Sequence, residues 1–268
     1  MNRVRFPFYG TVPLLPNLFT AANLVLGIRA ITLVLRGENH YDHAAVCVML
    51  AMLCDVMDGM AARMTNTVSR FGVEFDSLAD LTSFGIAPAV MVYRQALISY
   101  DAANWRGPAH IGFLICAIYA GCAALRLARF NARVGDETTS FMGLPSPAAA
   151  GVVAAYFMLS ESGLLPDALC AFLSNWILPF VTAALGILMV SSIRYPAPVK
   201  RDLWRRRHFV YFALAAGVLA LIIASRGATL FALFSGYVIW GLVQHVRAPQ
   251  AAGDTLPGAT SEQDEEED

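Results

Sequence analysis

"CDVMDGMAARMTNTVSRFGVEFDSLAD", residues 54–80, places four aspartates (Asp55, Asp58, Asp76 and Asp80) in or beside stretches that otherwise read as membrane spans. An acidic side chain near the centre of a bilayer costs about 2.5–3.5 kcal/mol. The cost is smaller near the membrane edge, but a chain that keeps such a group of carboxylates still needs an offset. The spacing suggests one. Asp55 and Asp58 lie three apart, on one face of a helix. Asp55, Gly59 and Arg63 follow at steps of four, and Gly72, Asp76 and Asp80 repeat that step on the next helix. Two consecutive antiparallel helices can turn these stripes toward each other. The result is a cup of carboxylates, with glycines where a ligand can approach the backbone and an arginine at the mouth.

The surroundings set the fold class. The chain has 268 residues, of which 57% are hydrophobic and 15% charged, with a mean hydropathy of +0.55. Its apolar residues come in blocks near the ~17–25 residues that a helix needs to cross a bilayer. Eight are read, at 17–35, 43–62, 73–97, 109–129, 146–160, 169–192, 208–225 and 228–246, the fifth being short. The expectation is an all-α membrane protein, a polytopic bundle of about eight transmembrane helices. Residues 1–16 mix Arg with Phe, Tyr and Pro and suit an interfacial N-terminal segment. Residues 249–268 are rich in Ala, Gly, Thr and acids and read as a disordered acidic tail. The late apolar onset, without an A-x-A-like site, argues against a cleavable signal. The scattered cysteines read as packing residues.

Charge placement orients the bundle. With both termini in the cytoplasm and eight spans, most of the 19 basic residues fall on the cytoplasmic side, among them Arg63, Arg70, Arg126, Arg129 and Arg133. The aspartate-bearing connection then faces the cytoplasm too. Arg29, within the first span, has no evident reason to be there. Nothing in the sequence points to a nucleic-acid partner.

Hard oxygen ligands without neighbouring His or Cys suit Mg2+, Mn2+ or Ca2+ better than zinc. Two divalent cations between four carboxylates form the usual clamp for phosphoryl transfer. Arg63 is placed to meet a phosphate. Intramembrane acids also mark proton and cation transporters, and the spacing alone is equally compatible with that use. The glycines at both step-of-four positions favour a metal site with a bulky nucleotide against helix backbone.

Asp55-x-x-Asp58-Gly59-x-x-Ala62-Arg63, followed by Gly72, Asp76 and Asp80, resembles the signature of the CDP-alcohol phosphotransferases without a departure. The resemblance implies that the aspartates bind two divalent cations, Mg2+ or Mn2+, and that Asp80 is the base. It also implies that Asp55, Gly59, Ala62, Arg63 and Gly72 meet the CDP moiety. "PNLFTAANLVLG" (16–27), "DSLADLTSFGIAPA" (76–89), "LRLARFN" (125–131) and "GLPSPAAAG" (143–151) look like the membrane-integral phosphatidylserine synthases of that family. The resemblance covers about the first 160 residues. On this reading 17–160 is the catalytic core and 161–248 holds additional C-terminal transmembrane helices. The implied partners are CDP-diacylglycerol, L-serine and membrane lipid, in a homodimer of the cell membrane. Acceptors such as glycerol 3-phosphate or inositol phosphate fit the same chemistry.

An amino-acid acceptor needs a cation for its carboxylate. Arg126, Arg129 and Arg133 share a face at the cytoplasmic end of the fourth span, and Arg126 or Arg129 is the candidate, although topology alone would put arginines there. Ser83 follows Asp80 by three, and a helix break at Gly85-x-x-Pro88 would open carbonyls for the ammonium. Asn17, Thr20 and Asn23 give the first span a polar face at steps of three. They either meet nucleotide and water beside the metal, or hydrogen-bond to neighbouring helices. Ser146–Pro147 reads as the cap and first residue of the fifth span.

Overall fold

Residue patterning here is inside out relative to a soluble protein. Leu18, Val25, Phe113, Phe180 and Ile187 lie on the outer surface, while Asn23, Asp58 and Asp80 are buried. Such a surface is stable against lipid, where packing and interhelical hydrogen bonds hold helices together. The computed structural model describes residues 14–37, 40–64, 69–98, 111–132, 143–193 and 227–247, together with isolated positions 195, 217 and 220.

The described residues hold helices α1 (Leu14–Leu35), α2 (Tyr41–Met64), α3 (Arg70–Leu97), α4 (Ile111–Ala132), α5 (Ser146–Ser160), α6 (Asp167–Val190) and α7 (Ala228–Arg247). The all-α, multi-pass reading holds, but the count of eight spans is corrected. Among the described residues, 6 helices are long and apolar enough to cross a membrane. Apart from the isolated positions 217 and 220, the expected span at 208–225 lies outside the described residues. The fifth, α5, has 15 residues, roughly 22 Å at the α-helical rise against ~30 Å of hydrocarbon. Its shortness has a packing reason. From Ala148 to Met158 every residue is buried, so α5 is a central post against α2 and α7 and need not match the bilayer itself. Gly151 lets the Phe234 ring of α7 lie against it: a Cβ there would fall 2.6 Å from the ring. Gly186 of α6 gives α4 the same access at Tyr119.

α1 runs beside α2 and crosses α3, and α4 packs on α6. Ser69 caps α3 by accepting from Gly72 N–H at 3.0 Å. The expected break near Gly85-x-x-Pro88 is instead a widened π turn at Leu81–Ile86, where Ala87 N–H reaches back to Thr82 O. Pro88 has no N–H to give, and one extra residue in the turn absorbs the mismatch. The Phe84 carbonyl accepts from the buried Tyr119 hydroxyl at 3.1 Å, so that acceptor is already taken. α5 starts one residue earlier than expected, at Ser146, after Pro145. Arg29 lies on the exposed side of α1, roughly 9 Å below the helix end at Leu35. A long cationic side chain there can snorkel to the interface.

Candidate active site

The start of α1, the end of α2, the start of α3 and the end of α4 meet at one end of the bundle. Asp55 and Asp58 stand on the last turns of α2, and Asp76 and Asp80 on the first turns of α3. One carboxylate oxygen from each of Asp55, Asp76 and Asp80 lies within 4.8 Å of the others. Asp58 joins through Asp76, whose carboxyl is within hydrogen-bonding reach. The sequence-expected cup therefore exists, with Asp76 as its joint. Asp58 and Asp80 are only 5% and 8% exposed.

Asp76 Oδ1 is buried and has no hydrogen-bond partner among the described residues. An uncompensated carboxylate oxygen away from water is costly. A hard divalent cation is the group whose ligand chemistry offsets it with an all-oxygen donor set. The residues present fit such an ion. Asp55, Asp76 and Asp80 would hold one, and Asp58 extends the ligand set toward a second.

The polar face of α1 bears on these carboxylates. Thr20 Oγ1 donates to Asp58 Oδ2 at 2.8 Å, and Asn23 Nδ2 donates to Asp80 Oδ1 at 3.0 Å. Asn17 Oδ1 sits 3.5 Å from where a Gly72 Cβ would be, and its Nδ2 is buried without a partner among the described residues. Of the two uses expected for this face, interhelical hydrogen bonding is the one formed by Thr20 and Asn23. Gly72 has a local reason as well: a Cβ would also press on the Ser69 cap at 3.1 Å. Gly59 and Ala62 lie half-buried on the α2 face after Asp58. Arg63 lies on the same helix, but its side chain is outside the described residues.

The acceptor candidates separate. Arg126 Nη1 donates to Ser146 Oγ at 2.7 Å, and its guanidinium interacts electrostatically with Asp80 and Asp55. It faces the cup. Arg129 Nη1 instead donates to the Val190 carbonyl at 3.1 Å, closing the C-terminus of α6. Ser83 Oγ donates to the Asn23 carbonyl at 2.9 Å and is fully buried. Arg133 is outside the described residues. Sequence reasoning missed three neighbours. Ser146 holds Arg126 rather than capping α5. Tyr237 of α7 interacts with Arg126, and its ring lies tilted against the buried Tyr195, ring centroids 5.8 Å apart. Asn131 donates to Ser77 Oγ at 2.9 Å. Its place at the end of the quoted "LRLARFN" stretch was the one available signal.

Known proteins resemble this chain along most of its length. The chain is 35% identical over 236 residues to the CDP-diacylglycerol–serine O-phosphatidyltransferase of Helicobacter pylori, covering 86% of this chain and 90% of that protein. It is 30% identical over 229 residues to the protein of that name from Methanocaldococcus jannaschii, covering 85% and 92%. An archaetidylserine synthase of Methanothermobacter thermautotrophicus is 34% identical over 184 residues, covering 68% and 69%. Residues 13–190 match the CDP-alcohol phosphatidyltransferase profile, a range that takes in every carboxylate of the cup, the α1 face that braces them and Arg126. With the signature aspartates converging as that family's chemistry requires, the chain belongs to the CDP-alcohol phosphatidyltransferases.

Proposed function

We propose that the protein transfers the phosphatidyl group of CDP-diacylglycerol to the hydroxyl of L-serine and releases CMP. The observation that carries this is the convergence of Asp55, Asp76 and Asp80 on one point beside Arg126. The choice of serine draws support from the names of the relatives. In the transfer, the serine oxygen bonds to the lipid-side phosphorus as the bond from phosphorus to the CMP oxygen breaks. The two divalent cations, Mg2+ or Mn2+, supply charge stabilisation on the phosphoryl oxygens, usually the dominant contribution in such reactions.

The chain's own groups do the rest. Asp80 takes the serine proton, and Arg126 holds the serine carboxylate. Gly59, Ala62 and Gly72 leave room for the CDP moiety, with Arg63 toward its phosphates and Asn17 at the same end. Thr20 and Asn23 fix the carboxylates that meet it. Ser83 and Arg129, whose hydrogen bonds go to helix backbone, support the pocket from behind. In the same reading the cup faces the cytoplasm of the cell membrane with both termini on that side, as the arginines favour. The catalytic core lies in the first part of the chain, the later helices add to it, and the assembly is the homodimer implied by the family resemblance.

The deciding test is CMP release from purified protein given CDP-diacylglycerol and Mn2+, with and without L-serine. Release is expected to require both serine and the metal, and to stop with chelator. Release that another alcohol supports and serine does not would overturn the acceptor assignment.

Arg126→Ala is expected to raise the KM for serine about ten- to a hundred-fold, the equivalent of the roughly 1.5–3 kcal/mol of a charge-assisted hydrogen bond. The KM for CDP-diacylglycerol should change far less. Steady-state kinetics varying each substrate decides it, and equal losses would assign Arg126 to the lipid or to the fold.

A further inference from the structure

The structure assigns Asn23 a positioning role: it occupies one oxygen of Asp80, so that Asp80 works in the site through the other. Asn23 is 0% exposed on α1, and its Nδ2 donates to Asp80 Oδ1 at 3.0 Å. The amide is itself anchored. The Asn23 backbone carbonyl accepts from Ser83 Oγ at 2.9 Å, one turn beyond Asp80 on α3. That approach is possible because the next turn of α1 carries Gly27, where a Cβ would fall 2.9 Å from Ser83 Cα. Asn23 and Ser83 thus tie α1 to α3 at the Asp80 carboxylate and one turn beyond it. Among the described residues Asn23 Oδ1 is buried without a partner, so the amide is not held there by its own acceptor.

A carboxylate can give a divalent cation one oxygen or both. With Oδ1 bonded to an amide N–H, Asp80 is restrained to one, and Oδ2 is the oxygen without that bond. A one-oxygen Asp80 can reach the attacking alcohol as well as the ion, whereas one clamped through both oxygens has no lone pair placed for the proton. Asn23 therefore trades metal affinity for turnover.

This inference rests on the proposed reaction, and its test separates the two. Asn23→Leu keeps the branched shape and removes the donor. It is expected to lower kcat about tenfold or more and leave the KM for serine within about twofold, the mark of an interaction used in the transition state. Calorimetric titration should show Mn2+ bound at least as tightly as by wild type. A structural role alone would lower affinity and rate together. Unchanged kcat, or Mn2+ affinity falling in step with kcat, overturns the inference. Should Asn23→Leu not fold, Asn23→Ala removes the same donor without adding bulk, and failure of both assigns Asn23 to helix packing and overturns it too. Wild-type protein without serine-dependent CMP release overturns the reaction instead.

Discussion

Asp76→Asn is expected to lose at least ~1,000-fold in turnover, about 4 kcal/mol of transition-state stabilisation, and to bind Mn2+ weakly. The reason is position. Asp76 lies within reach of Asp58, belongs to the set with Asp55 and Asp80, and has a buried oxygen that no group among the described residues satisfies. Asparagine keeps the shape but removes the charge, and its amide N–H₂ turns a ligand position into a donor. Metal stabilisation of a phosphoryl centre is worth several kcal/mol, and a joint residue forfeits most of it. Serine-dependent CMP release and Mn2+ calorimetry on the same preparation check both halves. Wild-type turnover by the variant at saturating Mn2+ would remove Asp76 from the centre of the mechanism.

Asp80→Asn should behave differently, losing about a hundred-fold or more in kcat while still binding CDP-diacylglycerol and at least one Mn2+. A serine hydroxyl is a poor nucleophile while it keeps its proton, and a general base contributes on that scale. Asp80 is the most buried acid of its stripe and is held by Asn23, a placement that suits a group whose orientation matters. It also lies within 4.8 Å of the Asp55 and Asp76 ligand atoms, so the competing assignment is a plain metal ligand. The titration separates them. Affinity that falls in proportion to rate makes Asp80 a ligand first, and the proton then has to go elsewhere.

The aspartate cup was legible because both periodicities involved are local. Steps of three and four on two consecutive helices fix which carboxylates share a face, and a short connection fixes that the faces meet. The α1 face was legible only as a pattern: steps of three put Asn17, Thr20 and Asn23 in a row, but whether they touched ligand or helix depended on how α1 crosses α3. Arg126 and Arg129 show the limit most clearly. Three residues apart on one helix, they look equivalent in sequence, yet one turns to Ser146 and the acids while the other closes α6. That difference is made by helices far along the chain. The π turn at Leu81–Ile86 and the Tyr195–Tyr237 pair had no periodic signal at all. The short fifth helix was read as a span because hydrophobicity cannot tell lipid from a protein interior.

The widened turn at Leu81–Ile86 has a bearing on which length changes this chain can accept. An α-helix advances about 100° per residue, so removing one residue from most of α3 would swing everything beyond it to a new face. Ala89 and Met91, now buried, would then turn away from the core. A π turn is an α-helix carrying one residue more than its pitch needs. Losing one there relaxes the turn to ordinary α geometry and leaves both flanks in phase, with Asp76 and Asp80 on one side and the buried run from Ala87 on the other. The segment just past the carboxylates is therefore the place in this span where a one-residue deletion disturbs the alignment least, and what it gives up is local: the Ser83 and Phe84 bonds to α1 and α4.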